Sequence, residues 1–133
     1  MTTIPDTHRD LLNAQVAVLG TIGASGRPQL SAIWFLAEGD KVKLSLNTAR
    51  QKVKNLQANP ASSLLILDPA NPYRYVELRG DAQITADPDY EFAKKLGAKY
   101  GGADLSEHDG PTDLRLVVTI VPTRVTVWGG AAE

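Results

Sequence analysis

Polar and apolar residues alternate with period two through Lys41-Val42-Lys43-Leu44-Ser45-Leu46, which predicts a strand with one buried face. Upstream, residues 15–22 (QVAVLGTI) are β-branched and apolar and predict a first strand. GASGRP at 23–28 is a turn, and residues 29–37 (QLSAIWFLA) predict a second strand, apolar on both faces near Trp34-Phe35. Glu38-Gly39-Asp40 then turns into the alternating third strand, so the expectation is a three-stranded antiparallel meander. Residues 47–60 (NTARQKVKNLQANP) follow as a helix. Thr48 and Gln51 have capping-box spacing, Val53 and Leu56 form the apolar stripe, and Asn59-Pro60 ends it.

Residues 62–68 (SSLLILD) form a continuous apolar run, expected of a central strand buried on both faces. After the Asp68-Pro69 and Asn71-Pro72 loop, residues 73–79 predict a strand with Tyr73 and Tyr75 on one face. Gly80 interrupts it, as at a bulge or barrel corner, before residues 81–86 continue. Asp87-Pro88 predicts a helix start, Phe92, Leu96 and Tyr100 its buried stripe, and Gly101-Gly102 its end. A polar loop at 103–113 could fold over something, and strands at 114–121 and 123–128 hinge at Pro122. Residues 7–14 predict a short amphipathic helix after a loose start at 1–6. Three helices are too few to cover both faces of a parallel sheet. The fold class expected is mainly β: one closed antiparallel barrel with helices at its ends, in a single domain of 133 residues.

Composition narrows the function more than the fold. A formal net charge of −1 lacks the basic field that nucleic acid or an anionic membrane would need. No cysteine is present, which removes disulfides, thiolate nucleophiles and thiolate metal ligands. The N-terminal MTTIPDTHRD has neither a basic nor an apolar leader segment, and no apolar run approaches the roughly 20 residues of a membrane span, so the expected location is cytoplasmic.

Charge singles out the helix at 47–60. Arg50 and Lys52 lie at its first turn, where the macrodipole is already positive and a cation is disfavoured by roughly 0.3–1 kcal/mol. Lys54 adds a third cation, one turn beyond Arg50. Unpaired first-turn amides and clustered cations together suit a bound anion, most simply a phosphate. Residues for acid–base or nucleophilic work are scarce. His8 and His108 read as surface histidines without ligand spacing, and no metal site is expected. Asp104, Glu107 and Asp109 read as a solvated acidic loop, and Ser25 lacks a nucleophile elbow. No catalytic residue can be named, so any chemistry should come from a bound cofactor.

The segments GRPQLSAIWF, NTARQKVKNLQANPASSLLIL and YVELRGDAQI resemble the pyridoxamine 5′-phosphate oxidase-like split β-barrels. The likeness is strongest to the actinobacterial branch of deazaflavin (coenzyme F420)-dependent oxidoreductases. It spans roughly residues 10–128, and its most specific part is the R-x-K-x-x-N pattern of Arg50, Lys52 and Asn55 before Asn59-Pro60. The resemblance implies a barrel of six or seven strands and a homodimer with cofactor sites between subunits. Arg50, Lys52, Lys54 and Asn55 would hold the cofactor phosphate. Gln29, Ser31, Ala32, Ile33 and Trp34 would run beneath the ring, with Ser45, Leu46 and Asn47 beside it. Arg79 is a further candidate for a cofactor anion, or else pairs with Glu77, and Trp128 caps the barrel or touches a neighbouring subunit's cofactor. The implied activity is hydride transfer between reduced F420 and a small conjugated substrate. The alternatives are an FMN-dependent oxidoreductase, or a flavin- or haem-binding carrier or sensor. Pyridoxamine phosphate oxidation itself is not expected, because Ser31 and Gln51 stand where those enzymes carry basic residues and their C-terminal segment has no counterpart.

Overall fold

The alternation at 41–47 folds as its period requires: Val42, Leu44 and Leu46 are buried along the strand Lys41–Asn47, while Lys43 and Ser45 are half-buried. In the computed structural model, which describes residues 2–131, the strands are β1 (Ala17–Ile22), β2 (Pro28–Ile33), β3 (Leu36–Glu38), β4 (Lys41–Asn47), β5 (Ala61–Leu67), β6 (Tyr75–Ala86) and β7 (Arg115–Trp128). Helices α1 (Gln51–Ala58) and α2 (Glu91–Lys99) and two 3₁₀ segments (Asp6–Asn13 and Leu105–His108) complete it. The strands form one antiparallel sheet in the order β2-β1-β5-β6-β7-β4-β3. The larger of two clusters of buried side chains, including Leu19, Phe35, Leu44, Leu64, Ile66, Leu78, Val118 and Ile120, fills the inside of its curl. A smaller one gathers Phe92, Ala93 and Leu96 of α2 with Leu105.

The expected meander is corrected here, and the barrel is the split, seven-stranded one that the resemblance implies rather than a closed one. The run 29–37 is not one strand: it breaks at Trp34-Phe35, so β2 pairs with β1 at one edge of the sheet and β3 pairs with β4 at the other. Ile33 and Leu36 are three residues apart, a span of at most about 11 Å. The chain therefore brings the two edges together at this corner with no ladder between them. The barrel is split, and the crossover is the split. The second strand reads as apolar on both faces because Phe35 turns fully inward where the ladder stops, while Trp34 stays half-exposed.

Gly80 lies at the predicted irregularity. The β6–β7 register slips between Arg79 and Gly80, leaving Thr123 as the extra residue on β7 and placing Gly80 opposite Pro122. A Cβ on Gly80 would sit 2.2 Å from the Val121 carbonyl oxygen, so only glycine fits. Pro122 is therefore no hinge between two strands: β7 runs unbroken through it, and the bulge accommodates its missing N–H. Other readings shift as well. The run at 62–68 alternates buried and half-exposed residues, so β5 is interior to the sheet yet covered on one face only. Tyr73 lies in the turn before β6, 80% exposed, and shares no strand face with Tyr75.

Both helix starts differ from the capping expected. Neither Thr48 nor Gln51 caps α1: the Thr48 hydroxyl accepts from Leu114 N–H, and Arg50 occupies the N-cap with no side-chain bond. Asp87 lies three residues before the Tyr90 N-cap of α2, but its buried carboxylate accepts from the Phe92 and Ala93 amides and so still satisfies the first turn.

The chain is anchored from Ile4 onward. Ile4 is buried, and its N–H donates to Asp40 at 3.0 Å. His8, read as a surface residue, is 1% exposed; its Nε2–H donates to the Trp128 carbonyl, and its Nδ1 accepts from Thr7 Oγ1. Beside it the buried Arg74 binds Asp10 and Asp68 and donates to the carbonyls of Thr7 and Gly130. The two carboxylates raise the pKa of that guanidinium further. No helix among the described residues is long and apolar enough to cross a membrane.

The bulge yields a direct test. Gly80→Ala must push the β7 backbone away, and overpacking of this kind costs about 1–3 kcal/mol. Urea denaturation should show that loss, whereas Gly130→Ala, with open space around its Cβ position, should cost less.

Candidate functional site

Where the crossover separates β2 from β4, the structure leaves a cleft of about 380 Å³. One wall is Ala32 and Ile33 at the end of β2 with Trp34; the other is Ser45 and Leu46 at the end of β4. Arg50 and Lys52, from the start of α1, supply the charge, and Val16 and Leu96 add apolar surface. The 3₁₀ segment brings Leu105 and His108 to the rim, with Arg115 from the start of β7 below them. Seven of the thirteen residues singled out in the sequence thus line one space.

The remaining six divide by position. Ser31 touches the site through Lys52, whose Nζ donates to Ser31 Oγ at 2.9 Å. Asn55 is buried and faces away: its Nδ2 donates to Thr21 Oγ1 and Gln29 Oε1, and its Oδ1 accepts from Gln51. Asn55 and Gln29 therefore fasten α1 to β1 and β2 rather than line the cleft. Asn47 is also buried; its Nδ2 donates to the His108 carbonyl and to Asp109 Oδ1, which holds the 103–113 loop against β4. Lys54 is exposed and outside the cleft lining. Arg79 is remote from it, paired with Glu77 at 2.9 Å on the exposed face of β6. Trp128 is exposed at the far end of β7, opposite Tyr75.

Lys52 is the electrostatic centre of the site. Burial pushes its ammonium below the ordinary lysine range, and the charge of Arg50 pushes it further the same way. Its bonded partner, Ser31, is neutral. Among the described residues neither Lys52 nor Arg50 has a carboxylate partner. A cation that has lost water and gained no counter-charge sits at a cost, which an incoming anion would relieve.

The sequence alone marks neither Arg115 nor Lys99, and it reads Asp109, His108 and Tyr100 as loop, surface and core residues. The loop at 103–113 is not simply solvated. Asp109 and Arg115 form a buried pair, each side chain about 5% exposed, and Tyr90 Oη and Asn47 also donate to Asp109. Burial alone would raise the Asp109 pKa, but hydrogen bonds from Asn47, Arg115 and Tyr90 outweigh it and hold the carboxyl below its usual range. Arg115 Nη2 also donates to the Leu105 carbonyl, so the pair fixes the rim that carries Leu105 and His108. The available signal was an arginine opening an apolar strand six residues after an acid. Among the described residues no group of side chains has the geometry of a metal site.

A family model described as pyridoxamine 5′-phosphate oxidase matches residues 4–129. The chain belongs to the pyridoxamine 5′-phosphate oxidase family. Solved structures resemble it along most of its length. It is 35% identical to a protein described as an F420 reductase, over 92% of this chain and 98% of that one, with a TM-score of 0.81. It is 24% identical to the conserved hypothetical protein Rv2991 from Mycobacterium tuberculosis, over 96% of this chain and 86% of that one, at a TM-score of 0.75. HupZ of Group A Streptococcus is 23% identical over 98% of both chains, at a TM-score of 0.74. The last two likenesses concern the fold alone. The family's split barrel is the architecture found here, seven antiparallel strands curled around one core.

The buried pair has a measurable pH signature. Asp109→Ala leaves Arg115 buried without its partner and should cost about 3–5 kcal/mol at neutral pH. Because the folded carboxyl is held below its ordinary value, its contribution is present above about pH 4 and is lost as pH falls through the folded pKa. Urea denaturation should therefore show a wide gap between wild type and Asp109→Ala at pH 7 and a narrower one at pH 3.

Proposed function

We propose that this chain is an F420-dependent oxidoreductase that reduces a small conjugated substrate in the cleft beside α1. The observation that carries this reading is the desolvated, uncompensated Lys52 next to Arg50, in the same cleft as the flat ring of Trp34. The likeness to an F420 reductase at 35% identity supports the choice of deazaflavin. Arg50 and Lys52 hold the cofactor phosphate, with Ser31 orienting the lysine. Lys54, exposed one turn further along α1, acts at longer range on the anionic tail. Ala32, Ile33, Trp34, Ser45 and Leu46 form the surface against which the ring rests. When bound, the reduced deazaflavin supplies a hydride. The protein's part is to orient the ring, exclude water with Leu96 and Leu105, and present the substrate. Asn55 and Gln29 serve by holding α1 in place.

The active form we propose is a homodimer with the cofactor between subunits. Val16 and Trp34 at the cleft, and Leu30 on edge strand β2, are exposed apolar residues that a second copy would cover. Sedimentation at micromolar concentration should show a dimer; a monomer throughout that range would refute the shared site.

The cation pair gives the decisive test of the cofactor. Arg50→Ala with Lys52→Ala should leave stability within about 1 kcal/mol, because these residues carry no core packing. Each charge-assisted bond is worth about 1.5–3 kcal/mol. Calorimetry should therefore show F420 affinity falling about a hundredfold or more. Wild type should bind F420 more tightly than FMN, with affinity declining as salt rises. Equal F420 affinity in wild type and double mutant would refute the clamp, and tenfold tighter FMN binding would refute the choice of cofactor.

A further inference from the structure

We propose that Tyr100 is a positioning residue for the cofactor ring: it backs Trp34 from behind, so that Trp34 meets a flat aromatic ligand as a fixed platform. This inference rests on the cofactor reading above and adds a residue outside the cleft lining. The rings of Trp34 and Tyr100 are stacked, with centroids 4.1 Å apart and planes 4° from parallel. Trp34 is 40% exposed and lines the cleft, whereas Tyr100 does not. An indole at the surface of a two-residue crossover has few contacts to fix its rotamer, and the stack on Tyr100 provides one.

Tyr100 can do this because it is itself held. Its hydroxyl donates to the Gln15 carbonyl at 2.7 Å and accepts from Phe35 N–H at 3.0 Å. Its backbone closes α2 through a bond to the Gly97 carbonyl. The neighbouring Lys99 donates to the carbonyls of Ala14 and Phe35, so the segment before β1 and the crossover are both tied to the end of α2. One face of Trp34 is thus occupied by a ring that cannot easily move. An aromatic ligand stacking on the other side would meet a surface already oriented, losing less freedom on binding.

The test separates platform from clamp. Acrylamide quenching of Trp34 is measured in a Trp128→Phe background, with and without Tyr100→Leu. F420 and inorganic pyrophosphate are then titrated into wild type, Tyr100→Leu and Tyr100→Phe. Tyr100→Leu should raise Trp34 quenching about twofold and weaken F420 about tenfold, while pyrophosphate, which meets only the cations, binds as in wild type. Tyr100→Phe keeps the ring but loses the hydroxyl's bonds to Gln15 and Phe35, and should give an F420 affinity between those of Tyr100→Leu and wild type. Trp34→Leu should weaken F420 to a similar degree, and adding Tyr100→Leu to it should cost little more. Should leucine at 100 prevent folding, Tyr100→Gln, which keeps a polar tip but no ring, is expected to show the same pattern. Unchanged quenching, fully additive losses, or an equal loss of pyrophosphate would each overturn the proposal. If wild type bound neither F420 nor FMN, the functional reading would fall, while the quenching comparison would still decide whether Tyr100 fixes Trp34.

Discussion

The fold depends on what happens to the backbone of Phe35. The chain must pass from one edge of the sheet to the other within two residues, so Phe35 belongs to no ladder, yet its side chain is fully buried. A buried peptide group without partners costs several times what an ordinary hydrogen bond contributes. Here the partners come from the last turn of α2: Tyr100 Oη receives the Phe35 N–H, and Lys99 Nζ donates to its carbonyl. The Lys99 ammonium also lies 3.8 Å from the centroid of the Phe35 ring. Burial drives the Lys99 pKa down to about 8, while two carbonyls and an aromatic face favour the charged form. A sheet that kept pairing through this corner would need none of this. It would also have no gap between β2 and β4, and so no cleft.

Two buried arginines solve a similar problem for the parts of the chain outside the sheet. Arg74 gathers the first 3₁₀ segment, the β5–β6 turn and the residues after β7. Arg115 gathers the 103–113 loop onto β4 and β7. Such pairs are weak sources of net stability, because desolvation consumes most of the Coulombic gain. Their effect is positional: each bond has one geometry, whereas apolar contacts tolerate sliding. The Arg115 pair thereby fixes Leu105 and His108 in the lining of the same cleft as Arg50 and Lys52.

The local periodicities were legible in the sequence, and so was the helix with unusual charge. Strand β4, the interruption at Gly80 and the apolar stripe of α2 follow from spacing alone, because each is decided by near neighbours. What could not be read is long-range. Nothing in residues 29–37 says that pairing stops at Ile33, since that depends on Lys99 and Tyr100 more than sixty residues later. His8 read as a surface histidine because its partner is a backbone carbonyl at Trp128, a contact without any sequence signal. Asn55 and Asn47 read as ligand-binding groups because a polar residue near a basic motif looks the same whether it faces the ligand or holds the helix that does. Both are buried, and their side-chain bonds run to other parts of the protein.

The same distinction sets the cations at α1 apart from other surface charges here. Arg79 and Lys43 each have a carboxylate within 2.9 Å and are electrostatically complete as they stand. Lys52 is drawn inward by a neutral serine, loses part of its water, and faces Arg50 of the same sign. Stability alone would favour a carboxylate beside it, or a neutral residue in its place, since a cation at a helix start also opposes the macrodipole. The arrangement carries a cost for the chain by itself, and an anion between the two side chains would offset it. Arg74 and Arg115 are each met by carboxylates. Lys99, equally without a carboxylate among the described residues, is met by two backbone carbonyls and the Phe35 ring, whereas Lys52 has only the Ser31 hydroxyl beside the like charge of Arg50.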